Sequence, residues 1–325
     1  MLAFELEHRV RKSRGWNRTI SRNDVFQRYA LRFLKKIEAA EAKHGGIPTL
    51  FSYSYAALEV FQFAKSRGWR TVLGQIDPGP EEERVVMGEC ARYPELASNW
   101  LPAPMSYWEH WREEVKLADR IVVNSRWSLD CLKKENIPAS KIEIVPLVYS
   151  APNQSGSSSA KTSSQVFRVL FLGQVNLRKG VARLLAAMRL LRDEPIELLM
   201  AGPSQIDPSA WADLPNVNWL GPIPRSEVGR HYREADLFIL PTLSDGYALT
   251  QLEALAHGLP VLASAHCGEA VSEGTNGSIL GSLEPEGIAS ALRTLRGASY
   301  GKITAPSFGL DELGSALLNL NFSGL

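Results

Sequence analysis

The sequence predicts an α/β protein made of two doubly wound halves, each a parallel sheet flanked by helices. Three observations carry this. Short apolar runs alternate with helix-period segments through the second half, and the same alternation runs more faintly through the first. Between them, Ser150–Gln165 (SAPNQSGSSSAKTSSQ) is polar and Ser-rich, with nothing from which to build a core. A length of 325 residues suits about two domains. The expected organisation is an α/β domain over 1–149, a linker over 150–165 and a second α/β domain over 166–325.

In the second half, Val166–Leu172 (VFRVLFL) reads as a strand ended by Gly173. Lys179–Leu191 puts Val181, Leu184, Leu185, Met188 and Leu191 on one helix face. Pro195–Ala201 and Val217–Leu220 are strands, and Ser226 is the expected N-cap of a helix to Ala235. Asp236–Leu240 is a strand, Ala248–His257 a helix closed by Gly258, and Pro260–Ser264 a strand. In the first half, strands are expected at Thr49–Tyr55, Arg70–Ile76, Arg120–Asn124 and Lys141–Val145, with helices at Ala56–Arg67 and Trp127–Glu135. Such alternation implies right-handed crossovers between parallel strands. Ligands then sit beyond the carboxyl ends of the strands, or in the cleft between two such domains.

Composition narrows the function classes. Thirty-six Lys and Arg face 35 Asp and Glu, a net charge of +1, which disfavours a nucleic-acid partner. Cys90, Cys131 and Cys267 are scattered and odd in number, so a reducing, cytoplasmic setting is expected rather than a disulfide framework or zinc site. No apolar run approaches the roughly 18 residues of a membrane span. Glu5, Glu7, Arg9, Arg11 and Lys12 interrupt any signal-peptide core.

Two loops carry candidate chemistry. In Gly173–Gly180 (GQVNLRKG) a strand ends at glycine and a helix begins near Lys179. Helix-start amides attract phosphate, and Arg178 and Lys179 add positive charge there. An ordinary βα loop with exposed basic residues is the competing reading. In Ser244–Glu253 (SDGYALTQLE), Asp245 follows the DLFILP strand and Glu253 lies one to two turns into the next helix. Carboxylates so placed accept hydrogen bonds from sugar hydroxyls. Alternatively, Asp245 only complements the helix dipole and Glu253 is solvated.

These stretches, with LLMAGP, NVNWLGPIPRSEV, HYREADLFILPTLSDGYALTQLEALAHGLPVLAS and GEAVSEGTNGSIL in order, resemble the donor-binding domain of a GT-B glycosyltransferase, the retaining kind of glycosyltransferase family four. The resemblance covers Val166–Leu280 and reaches back weakly through Leu117–Leu147. It implies two Rossmann-like domains facing a cleft, and transfer of a sugar from a nucleotide-diphosphate donor to a glycan, lipid-linked sugar or small molecule. No metal and no cofactor beyond that donor are implied. The family's two carboxylates, separated by seven residues, fall on Asp245, for the donor sugar, and Glu253, for the ribose. Lys179 matches the lysine on the diphosphate, and Arg178 stands in for an arginine that is Gln174 here. Gly173 gives close backbone access, and Gly246 with the amides of Tyr247, Ala248 and Leu249 would complete the phosphate cradle. Ala248 replaces a glycine, so its backbone must avoid positive φ.

The first half departs from that pattern, and its N-terminal domain is expected to be reduced. It opens with charged, helix-like sequence, and Gly45-Gly46 reads as a turn after a helix instead of a loop after an opening strand. An inactive or partner-dependent nucleotide-sugar-binding module is therefore the alternative function. Asp77 is either an acceptor-side carboxylate or a turn residue before Pro78. His8–Lys36 is basic with Trp16, Phe26, Tyr29 and Phe33 interleaved: a solvated helix face, or a peripheral contact with anionic lipid at the inner membrane face. Trp100–Trp111 (WLPAPMSYWEHW) either lines an acceptor cleft or is a loop packed on the core.

Overall fold

The computed structural model describes residues 15–41, 46–97, 100–149 and 166–322. The Ser-rich linker, the residues before Gly15 and Gly45 of the expected turn lie outside these.

The first domain runs α1 (Gly15–Glu41), β1 (Thr49–Tyr53), α2 (Leu58–Lys65), β2 (Arg70–Gly74), α3 (Pro80–Arg92), α4 (Met105–Leu117), β3 (Arg120–Val123), α5 (Arg126–Lys134) and β4 (Ile142–Ile144). Its four strands are parallel, in the order β1-β2-β3-β4. Every residue of β3 is buried, as expected of a parallel strand covered on both faces. Ser125 starts α5 by accepting a hydrogen bond from the Ser128 amide at 3.1 Å. One face of the sheet packs Leu73, Ile121 and Val123 against Phe61 of α2 and Trp111 of α4.

The second domain runs β5 (Phe167–Leu172), α6 (Val181–Leu190), β6 (Ile196–Ala201), β7 (Val217–Gly221), α7 (Arg225–Glu234), β8 (Leu237–Leu240), α8 (Leu249–Ala256), β9 (Val261–Ala263), β10 (Gly277–Ile279) and α9 (Pro285–Arg296). Six parallel strands take the order β10-β9-β8-β5-β6-β7. Period-2 alternation along β5 splits the core: Val169 and Phe171 face α6 and α9, and Leu170 faces the α7–α8 side. The strand order reverses between β5 and β8, which pair Val169 with Leu237 and Leu170 with Phe238. The loops leaving those two strands flank the switch point where doubly wound sheets hold ligands.

A last helix, α10 (Leu310–Leu318), returns to the first sheet. Leu313, Leu317 and Phe322 pack on Val72, Val122 and Val145, and the Arg120 guanidinium donates to the Asn321 carbonyl.

Two local expectations are corrected. Helix α7 begins at Arg225, with Pro224 as its N-cap, so Ser226 lies inside the first turn. The fixed φ of Pro224 ends the extended segment two residues earlier than the serine signal. The aromatic stretch is helical from Met105, after Pro104 plays the same part.

Candidate active site

The two loops at the switch point are held against each other by their backbones. Gly180 has φ 72°, and a Cβ there would lie 2.0 Å from the Pro241 carbonyl oxygen. Only glycine allows that approach. Asn176 Oδ1 accepts from the Lys179 amide at 3.0 Å and turns the first loop. The Arg178 carbonyl accepts from the Leu243 amide at 2.9 Å and from Thr242 Oγ1 at 3.2 Å. Arg178 and Lys179 are thereby carried beside Ser244 and Asp245.

The side chains converge accordingly. Lys179 Nζ donates to Asp245 Oδ2. Arg178 Nη1 donates to the Ser244 carbonyl at 3.1 Å and lies 3.6 Å from Asp245 Oδ2. Gln174 is exposed and accepts from Asn176 Nδ2 at 3.3 Å. The Gly173 amide is spent on the Ala201 carbonyl at 2.9 Å, extending the β5–β6 ladder.

The second loop leads into α8. Gly246 is dictated by close approach: a Cβ would lie 2.3 Å from the Ile76 carbonyl oxygen of the first domain. Tyr247 is buried beneath Gly268, and that burial pushes its phenol up to about 12. Ala248 has φ −82°, in line with the expected absence of positive φ, and its amide donates to the Cys267 carbonyl at 3.0 Å. Leu249 opens α8 and is exposed. Glu253 stands apart from the Lys179–Asp245 group. It accepts from Tyr232 Oη at 3.1 Å, while burial and then this carboxylate raise the Tyr232 phenol well above its ordinary value.

The first domain supplies the facing wall. Trp127 Nε1 donates to Ser244 Oγ at 3.0 Å, and the Arg126 amide donates to Glu269 Oε1 at 2.9 Å. Glu82 Oε2 lies 3.6 Å from Arg178 Nη1 and makes no hydrogen bond. Burial raises the Glu82 carboxyl to about 7 against the pull of Arg178, with Asp77 and Asp245 raising it further. Asp77 is a turn residue, and its side chain also lines the cleft. Its Oδ1 takes the Gly79 amide at 2.9 Å, a local turn, and also the Tyr55 hydroxyl and Gln75 Nε2 at 3.0 Å. Burial raises its carboxyl too, although those hydrogen bonds lower it.

An open cavity of about 220 Å³ lies between Glu82 and the first loop. The half-buried Trp16, Trp100, Tyr107 and Trp108 line it, with Asp77, Glu82 and Glu83. Asn176, Arg178 and Gln205 close it from the second domain. Sequence reasoning missed Glu82 and Glu83. The run Glu81-Glu82-Glu83 at the start of α3 carries only the signal of a helix N-terminus. Among the described residues no group of three or more His, Cys, Asp or Glu could hold a metal ion.

Residues 166–297 match the family model described as glycosyl transferases group 1. The amylovoran biosynthesis glycosyltransferase AmsK of Erwinia amylovora is 29% identical over 172 residues, 49% of this chain and 42% of that protein. A D-inositol 3-phosphate glycosyltransferase of Kineococcus radiotolerans is 28% identical over 242 residues, 62% of this chain and 54% of that protein. The chain thus spans about half the length of these relatives. Among solved structures, sucrose-phosphate synthase from Thermosynechococcus elongatus aligns with a TM-score of 0.57 at 20% identity, over 81% of this chain and 68% of the other. The Anabaena protein HepE in complex with UDP-glucose aligns at 0.53 and 17% identity, over 76% and 69%. The fold is that of GT-B glycosyltransferases. Over residues 166–297 the second domain is similar to the group 1 glycosyl transferases.

Proposed function

We propose that this chain transfers a sugar from a nucleotide-diphosphate donor to an acceptor hydroxyl, with retention at the anomeric carbon and without a metal ion. The carrying observation is the convergence of Lys179 and Arg178 on Asp245 at the sheet's switch point. Two cations held by one carboxylate form a site that an incoming diphosphate can occupy by exchange. The diphosphate takes Lys179, Arg178 and the helix-start amides of Tyr247 and Leu249, and Asp245 turns to the donor sugar's hydroxyls. Glu253, on the next turn of α8, accepts from the ribose. As the bond from the anomeric carbon to the phosphate oxygen breaks, negative charge grows on the leaving group where the cations already stand. The acceptor oxygen bonds to that carbon, and its proton passes to the leaving phosphate. The names of the related glycosyltransferases, and the UDP-glucose bound to HepE, support a nucleotide-sugar donor.

The first test is a thermal-shift panel of UDP, GDP, ADP and their common sugars, each with and without EDTA. Stabilisation by one nucleotide class, unchanged by EDTA, is expected. No shift with any nucleotide would overturn the donor-site reading.

The exposed face of α1 supports a peripheral membrane contact. Phe26, Tyr29 and Phe33 are 56%, 52% and 63% exposed, at helical spacing among arginines and lysines. No described helix is long and apolar enough to cross a membrane. Co-sedimentation with anionic but not zwitterionic vesicles is expected, and equal recovery with both would remove this contact.

A further inference from the structure

The cavity between α3 and the first loop is built mainly from groups that the donor site does not use. Its carboxylates are held in place before any ligand arrives. Glu83 accepts from Trp108 Nε1 at 2.9 Å and from the Ala103 amide at 2.5 Å. Asp77 is fixed by Tyr55, Gln75 and Gly79. Behind them Gln75 Oε1 takes the buried Trp111 Nε1 at 2.8 Å, so the wall is braced through the first domain's core. The aromatic rings brace one another: Tyr107 stacks on Tyr55 at 4.7 Å and meets Trp16 at 4.9 Å. Glu82 brings an oxygen without a hydrogen bond to the boundary with Arg178.

Aromatic faces with fixed acceptors suit one ligand chemistry. A sugar ring lays its C–H face on indole or phenol and offers its hydroxyls as donors. Carboxylates take those hydroxyls as charge-assisted hydrogen bonds. The same carboxylates repel a phosphate, sulfate or carboxylate group on the ligand. Among the described residues the lining's one cation, Arg178, already faces Asp245 and Glu82 and is assigned above to the diphosphate. An ammonium group would be welcome.

We infer that this cavity is the acceptor subsite and takes a non-anionic carbohydrate unit, uncharged or amino-substituted, while rejecting phosphorylated and carboxylated sugars. Its name as an acceptor site rests on the transfer reading, but its binding chemistry does not.

The test uses the full chain and its tryptophan fluorescence at pH 8. Glucose, galactose, mannose, N-acetylglucosamine and glucosamine are titrated beside glucose 6-phosphate, mannose 6-phosphate and glucuronate. At least one non-anionic sugar should bind about tenfold more tightly than its anionic counterpart. Glu82→Gln, checked for an unchanged melting curve, should narrow that gap several-fold. Trp100→Ala, on a half-buried surface ring, should weaken the neutral sugars without restoring the anionic ones. Equal or tighter binding of the 6-phosphates, or no fluorescence response to any sugar, would overturn the inference. Nucleotide stabilisation is measured separately. Nucleotide binding without a sugar response sinks the subsite alone, and a sugar response without nucleotide binding sinks the donor reading alone.

Discussion

The two walls of the cleft are built on opposite plans. The second domain's wall is compact in sequence: two loops leaving adjacent strands β5 and β8 supply Arg178, Lys179, Ser244 and Asp245. The first domain's wall is gathered from distant segments, with Trp16 on α1, Asp77 after β2, Glu82 and Glu83 on α3, and Tyr107 and Trp108 on α4. One wall is cationic and suited to a diphosphate. The other is acidic and aromatic and suited to hydroxyls. A short charged ligand group needs few partners at fixed spacing, so one strand–loop–helix unit provides them. A ring-sized ligand needs area, which only several elements supply.

The seam between the walls gives the largest expected effect. Arg183 on α6 holds Glu89 of α3 through Nε at 2.8 Å and Nη2 at 2.6 Å, and its Nη1 reaches Glu284 at 2.9 Å. Glu89 is only 2% exposed. Arg183→Met leaves that carboxylate buried without its cation and should cost about 3–5 kcal/mol in urea denaturation at pH 8. A much smaller loss would show that the walls stand without this contact.

Lys179→Ala tests the cationic wall. Turnover should fall by about 10²–10³ if this charge meets the developing leaving group. Nucleoside affinity should hold while nucleoside diphosphate affinity drops. Equal losses for both would remove the diphosphate role.

Glu253→Ala should weaken nucleoside binding by about 1–3 kcal/mol, through one or two lost charged hydrogen bonds. Isothermal titration beside a melting curve separates this from unfolding. Unchanged affinity at unchanged stability would detach Glu253 from the ribose.

The smallest effect asks whether the acidic wall acts on the cationic one. Burial pushes the Glu82 carboxyl up to about 7. Below that pH it is neutral and leaves Arg178 free for phosphate, and above it the carboxylate competes. Nucleotide diphosphate affinity should therefore tighten several-fold from pH 8 to pH 6 relative to Glu82→Gln. The ratio between the two proteins removes the ligand's own ionisation. The stability sign follows the same proton. Because its folded pKa is raised, Glu82 favours the fold fully below about 4.5 and loses that contribution as pH rises through about 7. Parallel affinity profiles for the two proteins would separate the walls electrostatically.

Much of the second domain was legible because its signals are local. Every strand expected there appears within a residue or two, since each apolar run is bounded by Gly, Pro or a charged residue. Lys179 and Asp245 were legible as candidates because each lies in a loop between a strand and a helix. Glu82 was not, because three successive glutamates at a helix start look alike until the fold selects the one that meets Arg178. The aromatic stretch hid α4 because its tryptophans and tyrosine fit a loop as well as a helix face.

By itself the sequence determined the alternation of strands and helices, the loops that carry charge and the glycines that let those loops approach. These depend on side-chain period and backbone freedom within a dozen residues. The tertiary structure alone decided that Asp245 holds both cations, that α10 returns to the first sheet, and that Gly246 meets Ile76. It also decided which carboxylates and rings share a cavity. Those are meetings between residues far apart in the chain, set by how two sheets dock, and no local pattern encodes them.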